Sequence, residues 1–233
     1  MFKKYIVDNY NNVEKDVRDV VLNMIDSGAR RVLDIGSGDG ELTQMIAQKL
    51  KDAKISAVDN SPAFGEITYR KWGWKAIIAD ADIHLPFEDE SFDLVIASQV
   101  IEHVDNTDTF ITEMYRVLRK GGICICACPN LASFHSIATL MTGHQSFTCH
   151  VSDKLDFGLL FTMHKQDYPL GYRRHRRMFT IPSLTEMFTY YGFKNMQVKG
   201  FGYYFLPRVL AKKPVSSLLL AKYAAHIILR AEK

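Results

Sequence analysis

Residues 31–40 read Arg-Val-Leu-Asp-Ile-Gly-Ser-Gly-Asp-Gly, and Glu41-Leu-Thr-Gln continues from them. No other stretch restricts the fold so tightly. The apolar run Val32-Leu33-Asp34-Ile35 reads as a buried strand. Gly36, Gly38 and Gly40 then turn the chain into a helix that starts near Glu41. Glycine serves such a turn twice: it accepts positive φ, and it lets the backbone lie close against a ligand. The turn also aims the free N–H groups of the first helical turn at whatever is bound. Strand, glycine turn and helix together form the nucleotide-binding corner of an open α/β sheet.

The spacing argues against a dinucleotide. The pyrophosphate fingerprint is G-x-G-x-x-G, and its third glycine, counted from Gly36, falls on Glu41. An acid at a helix start opposes a phosphate and suits a cationic ligand. Asp34, just before the turn, adds a second negative charge.

Downstream, strand and helix patterns alternate. Residues 10–27 place Val13, Val17, Val20, Val21, Met24 and Ile25 at helical spacing. Strands are expected at Ile55–Asp59, Ala76–Asp80, Phe92–Ala97 and Ile123–Cys128. Ser61-Pro62 opens a helix, and a second helix runs from Thr107 to Lys120 with Gly121-Gly122 as its stop. Such alternation means βαβ units, a mostly parallel sheet, and a site at the carboxyl ends of the strands. The pattern breaks after Pro129. Residues 130–180 read as irregular, and order resumes with a helix at Ser183–Tyr191 and strands near Phe193–Lys199 and Ala224–Arg230.

The expected strand ends carry suitable chemistry. Asp59 can accept both hydroxyls of a ribose. Asp80 can accept an adenine amino group, with the Ala81 N–H on a ring nitrogen. Three further stretches complete the pattern: Ala79-Asp-Ala-Asp-Ile-His-Leu-Pro-Phe-Glu-Asp-Glu-Ser-Phe-Asp-Leu-Val-Ile-Ala97, Ser98-Gln-Val-Ile-Glu-His-Val104 and Tyr115-Arg-Val-Leu-Arg-Lys-Gly-Gly122. With the glycine turn, these resemble the class I S-adenosylmethionine-dependent methyltransferases, in particular the type 11, small-molecule and glycan branch. The resemblance implies a Rossmann-like, doubly wound, seven-stranded, mostly parallel sheet with an antiparallel last strand. It implies S-adenosylmethionine as cofactor and S-adenosylhomocysteine as its product. It assigns cofactor contacts to Asp34, Gly36, Ser37, Gly38, Gly40, Asp59, Asn60, Asp80, Ala81 and Ser98.

His103 follows the fourth strand, where a methyl acceptor would sit, and is the candidate general base. A base is needed only when the attacking atom is protonated, and a carboxylate needs none. Tyr172-Arg-Arg-His-Arg-Arg-Met-Phe-Thr180 is similar to a His-x-Arg-x-Phe-Thr pattern of small-molecule and glycan methyltransferases. It is expected to turn His175 and Arg177 toward the cleft, with Arg173 and Arg174 beside them to grip an anionic acceptor in bidentate fashion. The block 130–180 is then the lid that sets acceptor choice. His135, His144, His150, His164 and His175 lack the spacing of metal ligands, so no metal is expected.

At 233 residues, with 47% hydrophobic and 24% charged, the chain reads as a single domain. It divides into a cofactor-binding half (1–129), the lid (130–180) and a C-terminal helix with strands (181–233). A net charge of +3 is too mild to indicate nucleic acid. Cys124, Cys126 and Cys128 alternate along a strand, as buried thiols of a cytoplasmic protein would. No apolar run reaches membrane-spanning length, and Phe201–Lys213 is at most a weak membrane-surface contact. The expected acceptor is a small molecule or a glycan. The alternatives are an RNA methyltransferase, or a non-catalytic subunit that binds the cofactor.

Overall fold

In a computed structural model, residues 16–146, 148–152, 157–160, 174–203, 214–215 and 218–233 are described. One sheet of seven strands organises them: β1 (Arg31–Ile35), β2 (Lys54–Asp59), β3 (Ile77–Ile78), β4 (Phe92–Ser98), β5 (Leu118–Pro129), β6 (Lys194–Phe201) and β7 (His226–Glu232). Their spatial order is β3-β2-β1-β4-β5-β7-β6. The first five pair in parallel. Strand β7 runs antiparallel between β5 and β6. The carboxyl ends of β1 to β5 therefore open on one edge, and strand order reverses between β1 and β4, where ligands bind in open α/β sheets.

Period-two alternation sorts each strand's side chains to two faces. Leu33, Val95, Cys124, Cys126, Cys128 and Leu229 pack with Phe110, Met114, Leu184 and Phe188. Val32, Leu94, Ile96, Ile125 and Ile228 pack with Val17, Val21, Met24 and Ile46. Two layers of helix thus cover a sheet buried on both sides. The helices Thr107–Val117 and Ile181–Tyr190 lie on the first face, and Glu41–Lys49 with helical residues 16–22 on the second. Residues 10–15 of the expected first helix lie outside the described residues. The three alternating cysteines face one core as expected, and burial pushes their thiols up, which suppresses thiolate formation.

Five expectations change. The third strand shrinks to Ile77–Ile78, because it is an edge that pairs only with Val58 and Asp59. The helix expected to reach Lys120 ends at Val117, and β5 begins at Leu118, whose buried side chain sits opposite Phe92. Gly121-Gly122 is accordingly no helix stop. It is a bulge within β5: Gly121 holds φ +69°, the register slips between Phe92 and Leu94, and a Cβ on Gly122 would lie 2.8 Å from the Arg119 carbonyl oxygen. The stretch after Pro129 contains a helix, Phe134–Met141, capped by the Ser133 side chain on the Ser136 N–H. The later helix starts two residues early, at Ile181, under a capping box between Thr180 and Ser183.

Candidate active site

The glycine turn sits at the carboxyl end of β1. Gly36, Gly38 and Gly40 have φ of +69°, +53° and +78°. Gly36 also has no room for a side chain, since a Cβ there would lie 2.4 Å from Val100 Cγ2. The turn crosses to the neighbouring strand: the N–H groups of Gly36 and Ser37 both donate to the Val58 carbonyl, at 2.8 and 3.0 Å. Asp59 then fixes the turn from below. One carboxylate oxygen accepts the Gly38 N–H at 2.9 Å and the other accepts the Ser61 N–H at 2.8 Å. A carboxylate has about four lone-pair directions, so each oxygen keeps one for a ligand.

The two acids nearest the turn are placed differently from the simple charge argument. Asp34 is buried behind the turn and accepts the Thr43 hydroxyl at 2.5 Å. Burial, reinforced by the nearby Asp59 charge and opposed by the Thr43 hydrogen bond, pushes its carboxyl up to about 7. It is therefore only partly charged at neutral pH. Glu41 is ion-paired with Arg18. The negative charge at the cleft comes instead from Asp59 and from the rim after β3. There Asp80 accepts the Asp82 N–H at 3.0 Å and Ala81 is buried. Burial, with the Asp80 and Asp105 charges, raises the Asp82 carboxyl. Asn60 is exposed and Ser98 half-buried at their strand ends.

Gln99 follows β4 and escaped the sequence reading. It adopts φ +59°, a left-handed conformation that costs a non-glycine residue ~1–2 kcal/mol. Its N–H is held by the Ala127 carbonyl at 2.8 Å. Its amide Nε2 is buried with no hydrogen-bond partner among the described residues, and so are Ser37 Oγ and Asp82 Oδ1. These three orphan polar atoms stand just past β1, β3 and β4. Buried polar groups are ordinarily satisfied, so these three atoms are open to a ligand at the carboxyl ends of the strands.

The far wall is built from histidine. The N–H groups of Arg176 and Arg177 donate to the Glu102 carbonyl, at 2.6 and 3.1 Å, strapping residues 174–177 to the loop after β4. The His103 and His175 rings meet with centroids 4.9 Å apart, and the His150 ring lies 5.3 Å from His175. Arg174 donates to His150 Nδ1 at 3.1 Å. Burial drives His175 down to about 3 and His150 to about 4. Two further buried rings, His135 and His226, sit at about 4 and 3 for the same reason. At neutral pH these four imidazoles are neutral. Of the other residues assigned to the acceptor, Arg177 is exposed and donates to the Asp105 carbonyl at 3.0 Å, whereas His175 is buried. Arg173 and His164 lie outside the described residues, as do 204–213 of the apolar-basic segment. Among the described residues, no helix is long and apolar enough to cross a membrane.

Residues 33–126 match the family model described as a methyltransferase domain. A malonyl-[acyl-carrier protein] O-methyltransferase of Halorhodospira halophila is 29% identical over 154 residues, covering 63% of this chain and 52% of its own length. A ubiquinone/menaquinone biosynthesis C-methyltransferase of Desulfotalea psychrophila is 31% identical over 112 residues, covering 47% and 45%. The chain thus spans about half the length of these relatives. Among solved structures, a SAM-dependent methyltransferase from Thermotoga maritima, described as a possible histamine N-methyltransferase, superposes with a TM-score of 0.64 at 23% identity. It covers 100% of this chain and 98% of its own. One from Archaeoglobus fulgidus gives 0.64 at 17%, covering 94% of each. These structures share the fold.

Proposed function

We propose that this chain, which carries a methyltransferase domain over residues 33–126, is an S-adenosylmethionine-dependent methyltransferase acting on a small, anionic acceptor. The observation that carries the reading is Asp59. It clamps the glycine turn and leaves one lone pair on each oxygen beyond those two bonds. That acceptor pair fits a ribose diol, whose hydroxyls donate, above a turn with no Cβ at Gly36.

Gly36, Ser37, Gly38 and Gly40 would seat the amino-acid end of the cofactor, with Asp34 behind them. Asp59 and Asn60 would take the ribose, and Asp80 with the Ala81 N–H the adenine. Ser98 and Gln99 would close the floor. When bound, S-adenosylmethionine supplies an activated methyl group on a cationic sulfur. The protein's own work is alignment and exclusion of water, and alignment alone is worth up to ~7–11 kcal/mol in the best intramolecular models. His103 would serve the acceptor, and its Nδ1 lies 3.2 Å from the Arg174 carbonyl. A carbonyl only accepts, so Nδ1 carries the proton and Nε2 is left to take one from a hydroxyl acceptor. Arg174, held on His150, would meet an acceptor's negative group. A carboxylate acceptor of the malonyl type, as the name of the Halorhodospira halophila relative suggests, would need that guanidinium and no base.

Calorimetry with S-adenosylmethionine tests the cofactor half of this reading. Saturable binding is expected, with S-adenosylhomocysteine competing, and its absence refutes the assignment. Incubation with methyl-labelled cofactor and a fractionated small-molecule extract tests the rest. Label is expected in an acidic small molecule, and label confined to RNA would overturn the acceptor class.

A further inference from the structure

The wall after β4 holds more than a base. Glu102 and His103 are adjacent at its end, and the strap brings in His175 from the far side of the fold. One ligand atom from each of the three lies within 4.8 Å of the other two, and Glu102 and His175 are buried. We propose that Glu102, His103 and His175 form a binding site for a first-row transition-metal dication.

Three features support this. The set is two imidazoles and one carboxylate, which is the composition that binds borderline dications and leaves positions open to an exogenous ligand. Each ring is also oriented as a metal ligand usually is, donating its second N–H to a backbone carbonyl. His175 Nδ1 lies 2.8 Å from the Thr148 carbonyl, and His103 Nδ1 lies 3.2 Å from that of Arg174. Both rings are thereby fixed in the tautomer whose Nε2 carries a lone pair. Finally, Glu102 and His175 are pinned on the backbone by the Arg176 and Arg177 N–H bonds to the Glu102 carbonyl.

Ligand atoms sharing a cation with ~2.1 Å bonds stand about 3–3.5 Å apart, so loading draws these groups together by about an ångström. All three side chains also engage other groups of the protein. The cation competes with those contacts, and micromolar affinity is expected. The role of the site rests on the methyltransferase reading: an anionic oxygen of the acceptor would complete the coordination and be held by a Lewis acid, and in that loaded state His103 Nε2 binds the cation in place of acting as a base. The sequence gives little sign of such a site, because Glu102-His103 is a bare dipeptide and His175 joins it only through the fold.

The test uses the full chain, free of affinity tag and stripped with chelator. It is titrated with ZnCl2 and MnCl2 by calorimetry and with CoCl2 by visible absorption. One equivalent is expected to bind, with affinity at least tenfold weaker in His175→Ala and in Glu102→Gln, and unchanged in His144→Ala. In isotopically labelled wild-type protein, Co2+ is expected to shift the ring resonances of His103 and His175 first, a readout independent of how the variants fold. No saturable binding, equal affinity in the variants, or Co2+ shifts confined to other histidines would overturn the site. S-adenosylmethionine binding is measured on the same samples. Cofactor binding without metal binding refutes this site alone, whereas metal binding without cofactor binding refutes the methyltransferase reading alone.

Discussion

The Asp59 carboxylate reaches from the end of β2 to the Gly38 N–H at 2.9 Å, joining the second strand to the turn that follows the first. Together with the Ser61 bond it makes one rigid corner from three segments. A side chain with this job cannot be replaced without moving both its partners.

Asp59→Ala is therefore expected to weaken S-adenosylmethionine binding at least tenfold, since single hydrogen bonds to charged groups are worth ~1.5–3 kcal/mol. Asp59→Asn keeps an acceptor and should lose less. Calorimetry separates the two variants, and unchanged affinity in Asp59→Ala would remove the ribose from this position.

Gly36→Ala would put a Cβ 2.4 Å from Val100 Cγ2 at φ +69°. The left-handed conformation costs ~1–2 kcal/mol and overpacking another ~1–3 kcal/mol. Urea unfolding should show a loss of about 2–5 kcal/mol. Adding Val100→Ala should recover the contact share and leave the backbone share.

Gln99 exchanges stability for a polar atom at the cleft. Gln99→Gly should raise stability by up to ~1 kcal/mol by relieving φ +59°, while lowering cofactor or acceptor affinity. A glycine variant that binds and turns over like wild type would show that the strain serves nothing at this site.

Stability of the ligand-free protein should depend on pH in two opposed ways. His175 and His226 sit at about 3 when folded, and His135 and His150 at about 4, against an ordinary 6.5. Their contribution is whole above 6.5 and is lost as pH falls through the folded values. Asp34 is raised from 3.8 to about 7, so its contribution is whole below 3.8 and is lost as pH rises through about 7. Each proton is worth ~1.4 kcal/mol per pH unit. The histidines outnumber the carboxyl, so melting temperature should climb from pH 4.5 to 6.5 and level off toward 7.5. Asp34→Asn removes the opposing carboxyl and should steepen the climb, which thermal unfolding across a pH series reads directly.

The glycine turn, its flanking strand and helix, and the strand-end acids were legible in the sequence because each is a local pattern. Two residues that follow one another decide them. What escaped needed partners from elsewhere. Gly121-Gly122 looks the same whether it stops a helix or bulges a strand, and only the Phe92–Leu118 pairing decides. The Phe134–Met141 helix was hidden because Phe134, Leu140 and Met141 are exposed, which blurs the apolar face. The meeting of His103 with His175 depends on backbone bonds to Glu102 that no spacing announces. Arg177 donates to the Asp105 carbonyl, a partner 72 positions away that no local pattern announces.

The position of β7 bears on how the chain is made. It pairs with β5 on one side and β6 on the other, yet of the seven strands it leaves the ribosome last. Until His226–Glu232 emerge, β6 has no sheet partner and β5 shows a bare edge, the kind of template on which chains mispair. Nascent chains of this protein thus stay vulnerable to aggregation until residues 226–232 have emerged and paired, and the seam between β5 and β6 is where chaperones would be needed most.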